Sequence, residues 1–212
     1  MNPLIKKIKS LGKTELNNKI KNRLKEFECF KNKNTKQWFS ELCFCILTAN
    51  SKARSALKIQ NELGVKGFCE FCSDDVKKCI YKYRHRFYNN KTRYIIKARK
   101  HLDIKTKIQK LVKEKGELEA REWLVKNIKG LGYKEASHFL RNVGYKNLAI
   151  LDRHILNLMS ENGYIKEKPK ALTKKSYLGT EKILKKISDN LKISMAELDL
   201  YMWYMKTGEV LK

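Results

Sequence analysis

Residues 128–140, IKGLGYKEASHFL, form the most informative segment of this 212-residue chain. Gly130 and Gly132 stand one residue apart between two segments with helical spacing of apolar residues, which predicts a short hairpin between two helices. Glycine lets another backbone approach closely, so the hairpin would expose amide N–H groups at the positive end of the second helix. Such amides bind a phosphate oxygen and position a protein on a nucleic-acid backbone without reading its sequence. The alternative is an ordinary turn between packed helices, for which the same glycines would serve.

The rest of the chain has the same helical character. Apolar residues recur with a period near 3.6, no long segment alternates as a strand would, and the chain has 2 prolines. Thr14 and Asn34 are expected to cap helices, and residues 38–49 are apolar on most sides and therefore expected in the core. The sequence predicts an all-α protein with a helix-hairpin-helix at about 117–144. Helices are expected at about 14–27, 34–49, 51–63, 73–83, 90–102, 103–115, 117–129, 133–143, 152–162, 177–191 and 194–205.

The formal charge of the chain is +26, from 48 Lys and Arg against 22 Asp and Glu. A surplus of this size favours a polyanionic partner, because each phosphate that is neutralised releases a condensed counterion. Nucleic acid is favoured over anionic lipid, since the basic residues are spread along the chain rather than gathered on one amphipathic helix. A general compositional preference for lysine is the alternative, because 39 of the 48 basic residues are Lys.

The sequence also bears on cellular location and on metal binding. It has no run of 18 apolar residues and no signal-peptide stretch at its start, so we expect an intracellular, cytoplasmic protein without a membrane segment. In that compartment the six cysteines, at positions 29, 43, 45, 69, 72 and 79, are not expected to form disulfides. Cys69, Cys72 and Cys79 could join His85 in a zinc site. The three cysteines also fall on one helical stripe, which favours core or surface thiols, and no metal is expected.

Two residues near the hairpin suggest chemistry at a glycosidic bond. Lys134 opens the second hairpin helix, and Asp152 follows 18 residues later in the segment NLAILDRHI, residues 147–155. A lysine amine can attack a sugar C1′, displace the base and form an imine that allows β-elimination. A fixed carboxylate stabilises the positive charge that builds on the sugar, although Asp152 could equally be a helix N-cap. Lys129 and Arg153 would assist the hairpin amides in contacting phosphates.

Three segments together resemble a known superfamily: residues 41–50 (ELCFCILTAN), 130–134 (GLGYK) and 151–154 (LDRH). They are similar to the helix-hairpin-helix DNA glycosylases, and most closely to the type 2 archaeal 8-oxoguanine DNA glycosylase/lyases. The resemblance covers essentially the whole chain. It implies a single catalytic unit over residues 1–212, built from two helical lobes with a central cleft. It also implies excision of 8-oxoguanine from duplex DNA through a Schiff base on Lys134, with Asp152 as the catalytic aspartate.

The same resemblance implies further site residues. Asn50 would fill the gap that the extruded base leaves in the duplex, and capping of a helix that begins at Ser51 is the alternative. Trp203 and Lys212 would line the base pocket, and Lys212 would help to distinguish 8-oxoguanine from guanine. No cysteine cluster lies near the end of the sequence, so the iron–sulfur cluster of some relatives is not expected, and we expect no cofactor. The sequence neither supports nor excludes a monovalent cation held by hairpin carbonyls.

The sequence therefore predicts a monomeric DNA repair glycosylase with strand-cleaving lyase activity, whose partner is duplex DNA containing 8-oxoguanine. The same scaffold could instead act on another oxidised base, because pocket residues decide the lesion. A non-catalytic helix-hairpin-helix module that binds DNA would need the hairpin glycines but neither Lys134 nor Asp152. An RNA-binding protein has only the net charge in its favour.

Overall fold

A computed structural model describes residues 2–167, 169 and 171–212. No described residue lies in a strand, and the all-α prediction is confirmed. The described residues form eleven α-helices, and a short 3-10 helix (Arg99–His101) joins the sixth and seventh of them. The α-helices are α1 (Pro3–Leu11), α2 (Glu15–Phe30), α3 (Thr35–Thr48), α4 (Ala53–Glu70), α5 (Ser73–Lys82), α6 (Tyr88–Ala98), α7 (Ile104–Asn127), α8 (Tyr133–Asn142), α9 (Arg153–Glu161), α10 (Lys174–Leu191) and α11 (Met195–Thr207).

Helix starts follow local capping chemistry. Thr14 accepts a hydrogen bond from the Leu16 N–H, and Asn34 forms a reciprocal capping box with Gln37, so both predicted caps are confirmed. Helix α10 begins at Lys174, earlier than the expected residue 177, because Thr173 caps it. Helix α1 was not predicted from the sequence. Its signal is Asn2, whose side chain accepts from the Leu4 N–H, followed by a proline at the first helical position.

Two glycines interrupt helices that are otherwise continuous. Gly64 within α4 has φ 57°, and Gly116 within α7 has φ 87°, so each adopts a left-handed conformation that disfavours other residues. Both breaks fall where the sequence predicted a helix to end. At Gly116 the next predicted helix begins at once, whereas the helical residues 65–70 after Gly64 were not predicted. Helix α7 therefore consists of two segments joined at Gly116, and the second of them forms the first arm of the hairpin.

The chain divides into two compact units. One boundary between them lies after Lys31, and the other falls within α8. The middle unit comprises Asn32–Phe139 and is built around α3. Residues 38–48 are all buried, as expected from their sequence, whereas Ala49 is only partly buried. Trp38 packs edge-on against Phe139 with ring centroids 6.0 Å apart, which places the second hairpin helix against α3.

The terminal unit comprises Met1–Lys31 and Leu140–Lys212. Helices α2, α9 and α11 supply much of its apolar core, to which Ile20, Ile155 and Met202 contribute. A buried ion pair joins Arg141 to Asp199 within this core. A buried charge of this kind is tolerated because it is paired and hydrogen-bonded.

Among the described residues, no helix combines the length and the apolar composition that crossing a bilayer would require.

Candidate active site

The hairpin runs from the end of α7 to the start of α8 and depends on one glycine with a positive φ. Gly130 has φ 93°, a conformation that L side chains rarely adopt. A Cβ atom on Gly130 would lie 2.4 Å from Cδ2 of Tyr94, so the ring of α6 closes over the bare glycine backbone. Leu131, between the two glycines, is buried. The close packing of Tyr94 on Gly130 explains why glycine stands at this point of the hairpin.

The amide of the second glycine already has a partner. Gly132 N–H donates to Oε2 of Glu135, with 3.1 Å between the two atoms. Glu135 lies one helical turn into α8 and reaches back to the helix start, as the acidic member of a capping box does. This amide was expected to face a DNA phosphate. In the structure this N–H donates to the carboxylate of Glu135. A phosphate oxygen would therefore have to share the N–H with that carboxylate or displace it.

Lys134 is the second residue of α8. Its side chain is 23% exposed, and its Nζ lies 3.9 Å from Oε1 of Glu135. The amine therefore reaches the surface at the hairpin while a carboxylate from the next residue stands beside it. Lys129 is exposed just before the two glycines. The amine of Lys134 is thus placed at the positive end of a helix, within an exposed basic turn.

Asp152, in the terminal unit, is the N-cap of α9. Its Oδ1 accepts a hydrogen bond from the Ile155 N–H at 2.8 Å, which fixes the carboxylate at the helix start. Its Oδ2 accepts no hydrogen bond from any residue that the structure describes. One oxygen thus serves the helix and the other remains available for chemistry. Arg153 follows with an exposed side chain.

Asn50 does not cap the next helix, so the alternative role considered for it is wrong. Helix α4 begins at Ala53 rather than at Ser51, and its N-cap is Lys52. Asn50 is exposed and adopts a left-handed conformation with φ 56°. Asparagine tolerates this conformation better than most residues, which explains its place at the turn after α3. The turn that contains it, residues 49–52, is called the Asn50 turn below.

Two buried side chains hold the end of α3, immediately before the Asn50 turn. Nζ of Lys91 donates to the carbonyl of Ile46 at 2.6 Å, and Nε2 of His85 bonds to the carbonyl of Leu47 at 2.8 Å. The Phe87 N–H donates to Nδ1 of His85, so the imidazole is neutral with its proton on Nε2. Burial of this ring lowers the pKa of His85 below its ordinary value.

The two residues expected at the base pocket both lie in the terminal unit. Trp203 is half-buried in α11 and packs edge-on against His154, with ring centroids 5.2 Å apart. Its indole Nε1 is buried and donates to no described residue. Lys212 lies beyond Gly208, whose left-handed conformation ends α11. The indole and α9, which Asp152 caps, are therefore in contact through His154.

The proposal that three cysteines share one helical stripe is wrong. Cys69 belongs to the last turn of α4, whereas Cys72 is the N-cap of α5 and Cys79 lies within α5. The residues that the structure describes include no group of three or more His, Cys, Asp or Glu side chains arranged to hold a metal ion. All six cysteines are free thiols, and burial raises the pKa of Cys79 to about 12.

Sequence reasoning missed the roles that three residues have around the site: His85, Lys91 and Glu135. Lysine is so frequent in this chain that Lys91 carries no signal of its own. Glu135 could have been found, because an acidic residue three positions after a helix-starting glycine is typical of a cap. The role of His85 depends on a carbonyl 38 residues away, and no local pattern reveals such a partner.

Comparisons with known proteins agree with this architecture. A family model described as 8-oxoguanine DNA glycosylase matches residues 20–193. The chain is 49% identical over 209 residues to an 8-oxoguanine DNA glycosylase/AP lyase of Methanocaldococcus jannaschii, covering 99% of each. It is 42% identical to a protein of the same name from Korarchaeum cryptofilum, over 91% of this chain and 90% of the relative.

Solved structures are similar as well. The crystal structure of the Methanocaldococcus jannaschii glycosylase/lyase in complex with 15mer DNA containing 8-oxoguanine matches with a TM-score of 0.95 and 48% identity, over 99% of both chains. The 8-oxoguanine DNA glycosylase of Thermotoga maritima matches with a TM-score of 0.91 and 36% identity, over 99% of this chain and 98% of that one. The resemblance noted in the sequence is confirmed, and the chain belongs to the helix-hairpin-helix family of 8-oxoguanine DNA glycosylases.

Proposed function

We propose that this protein is a bifunctional DNA repair enzyme that excises 8-oxoguanine from duplex DNA and then cleaves the strand as an AP lyase. The observation that carries the proposal is identity of 49% over 99% of the chain to a glycosylase/AP lyase. The whole chain, residues 1–212, would act as one catalytic unit of two helical lobes. We expect it to work as a monomer inside the cell, where its substrate lies.

Lys134 is the nucleophile in this proposal. Its neutral amine attacks C1′, the C1′–N9 bond breaks, and the base leaves with a proton. Opening of the sugar ring then gives an imine between Nζ and C1′. Loss of a proton from C2′ breaks the C3′–O bond, and the 3′ phosphate departs by β-elimination. Water finally hydrolyses the imine and regenerates the amine.

Asp152 supports these steps through the carboxylate oxygen that α9 does not use. A carboxylate at this point orients the amine or accepts its proton, and it stabilises the positive charge that develops on the sugar. Because Oδ1 is fixed by the Ile155 N–H at 2.8 Å, the carboxylate keeps its orientation without a further partner. Such preorganisation avoids the cost of reorienting the group during the reaction.

DNA would be held through its backbone near the hairpin. The amides of Gly130 and Gly132, at the positive end of α8, suit phosphate oxygens, and the exposed Lys129 and Arg153 add charge. As the phosphate binds, the Gly132 N–H would exchange the Glu135 carboxylate for a phosphate oxygen. Because backbone contacts carry no sequence information, this mode of binding suits an enzyme that must search for a lesion in any sequence.

The lesion itself would be recognised after extrusion from the duplex. We assign Trp203 and Lys212 to the base pocket, where they distinguish 8-oxoguanine from guanine, and Asn50 to the gap left in the duplex. The exposure of Asn50 in a tight turn supports its assignment, because a residue that enters DNA must project from the surface. The buried Nε1 of Trp203 has no hydrogen-bond partner among the described residues. It is therefore a donor available to a ligand.

The test is covalent trapping of the imine. The protein is incubated with a duplex that carries 8-oxoguanine opposite cytosine, and borohydride reduces the imine to a stable adduct. Wild type is expected to form the adduct, and Lys134→Gln is expected to lose it. Lys126→Gln is the matched control, because it removes the same charge from an exposed lysine on α7.

Each other outcome has a definite meaning. An adduct with Lys134→Gln would show that another amine is the nucleophile. Trapping only on a duplex with an oxidised pyrimidine would reassign the lesion while keeping the mechanism. No adduct from wild type on any oxidised base, with DNA binding intact, would leave a non-catalytic helix-hairpin-helix module.

A further inference from the structure

The end of α3 is an unusual helix terminus, because other groups of the protein satisfy all four of its last carbonyls. The last four carbonyls of a helix have no partner within the helix. Here Cys45 O accepts from Oγ1 of Thr48 at 2.9 Å, and Thr48 O accepts from the Ser51 N–H at 3.2 Å. The two carbonyls between them, those of Ile46 and Leu47, accept from Lys91 and His85. The Asn50 turn follows directly on this cluster.

Lys91 is the unexpected member of the cluster. Its side chain is 4% exposed, although the rest of the chain keeps most of its lysines in solvent. A buried ammonium is costly unless it is paired and hydrogen-bonded. Its hydrogen bond to Ile46 O, at 2.6 Å, supplies one partner on α3. Lys91 also interacts electrostatically with two residues of α8: it is attracted by Glu135 and repelled by Lys134.

The groups that interact electrostatically with Lys91 lie on α8 and in the segment before α6, within the middle unit. Burial lowers the pKa of Lys91 to about 8, the negative charge of Glu135 opposes that change, and the positive charge of Lys134 adds to it. The positive charge of Lys91 in turn helps to lower the pKa of His85. Lys91 on α6, His85 before α6, and Lys134 with Glu135 on α8 therefore form one set of interacting groups.

From this geometry we infer that Lys91 is a positioning residue that links the Asn50 turn to the nucleophile Lys134. Its amine fixes the end of α3 through Ile46, and its charge competes with Lys134 for the carboxylate of Glu135. Lys91 touches neither substrate nor the reacting atoms in this role. The inference rests on the proposed function, because it assumes that Lys134 attacks as a neutral amine and that Asn50 enters the duplex.

The charge part of the inference is tested by the pH dependence of borohydride trapping. Lys91→Met removes a positive charge that repels the ammonium of Lys134, so the pH of half-maximal trapping should rise by about 1 pH unit. Glu135→Gln removes a negative charge and keeps an oxygen that accepts from Gly132, so the same midpoint should fall by about 1 pH unit. Lys91→Arg keeps the charge and should retain the wild-type midpoint.

The chain offers a matched control in Lys105. Its Nζ donates to the carbonyl of Lys33 at 2.8 Å in the same unit, but on the surface. Lys105→Met therefore removes one charge and one lysine-to-carbonyl hydrogen bond without touching the site. Its trapping profile should match that of wild type.

The positioning part is tested by DNA affinity in a Lys134→Gln background, where no chemistry occurs. A hydrogen bond from a charged donor, once lost, leaves Ile46 O unsatisfied and loosens the Asn50 turn. Lys91→Met should therefore bind the 8-oxoguanine duplex about tenfold more weakly than Lys105→Met in the same background. A thermal melt followed by circular dichroism first establishes that each variant folds.

The outcomes separate this inference from the proposed function. Trapping by wild type together with unshifted midpoints in Lys91→Met and Glu135→Gln would overturn the inference and leave the function standing. Shifts in the same direction in both variants would also overturn it, and so would an unchanged affinity in Lys91→Met. If Lys91→Met does not fold, the other two variants are decisive. An unshifted midpoint in Glu135→Gln, or a shifted one in Lys91→Arg, would then overturn the inference. No trapping by wild type would overturn both.

Discussion

Gly130 occupies a backbone conformation and a space that together admit only glycine. Its φ of 93° lies in the left-handed region, and the ring of Tyr94 covers the place where a Cβ would stand. At the scale of one residue, the hairpin therefore depends on the absence of a side chain. The same residue exposes the amide groups that we assign to phosphate binding, so structure and proposed function place the same demand on it.

Gly116 provides a matched comparison for Gly130. Both have positive φ, at 87° and 93°, but a Cβ on Gly116 would meet nothing within 4 Å. Gly116→Ala should cost about 1–2 kcal/mol in the free energy of unfolding, because only the backbone is strained. Gly130→Ala adds the clash with Tyr94 and should cost about 1–3 kcal/mol more. Urea denaturation of both variants measures the difference, and equal losses would show that Tyr94 moves aside freely.

At the scale of an element, α3 is the helix around which the middle unit is organised. It is buried along residues 38–48, and its last carbonyls are satisfied by groups from distant parts of the chain. Buried polar groups without a partner are costly, so these bonds fix where the helix ends. The neutral imidazole of His85 is one of them, and its state depends on pH.

Stability should therefore fall as the solution becomes acidic. Burial lowers the pKa of His85 in the folded protein below 6.5, the ordinary value that the unfolded chain keeps. Between the two values the unfolded state binds more protons, so the contribution of His85 is complete above pH 6.5 and declines towards its folded pKa. Urea denaturation between pH 7.5 and 5 is the measurement.

His85→Gln serves as the comparison, because it removes the titrating group. The variant should lose less stability than wild type over the same interval of pH. Burial also lowers the pKa of His101, which remains in both proteins and contributes equally to both. Parallel curves for the two proteins would show that His85 is not responsible for the acid sensitivity.

At the scale of the whole molecule, charge is the dominant property. The net charge of +26 is spread over many exposed lysines rather than concentrated in one helix. Such a surface draws DNA towards the protein and makes its affinity depend strongly on salt. The lysines that contact phosphate in the complex contribute to that dependence, and the others contribute little.

Salt dependence can therefore identify a phosphate contact. The logarithm of the DNA association constant should fall linearly with the logarithm of salt concentration. Lys129→Gln, next to the hairpin glycines, should reduce the magnitude of the slope by about 1. Lys126→Gln, exposed on α7 in the preceding turn, should leave it unchanged. Equal slopes for wild type and Lys129→Gln would exclude Lys129 from the contacts.

The sequence by itself determined most of the helices and several of their caps and breaks, because these depend on residues close together in the chain. Thr14, Asn34 and the two breaking glycines needed no tertiary information. Three short segments, GLGYK, LDRH and ELCFCILTAN, indicated the family in the same way, through their resemblance to known glycosylases. The roles of Lys134 and Asp152 as catalytic residues remain predictions from that resemblance.

Only the tertiary structure decided how the end of α3 is held. Lys91 and Ile46 are 45 residues apart, and no periodic pattern connects a lysine to a distant carbonyl. The structure also showed that Asn50 lies in a left-handed turn rather than at a cap. The physical reason is that local patterns fix which backbone groups lack partners, whereas packing fixes which side chains reach them.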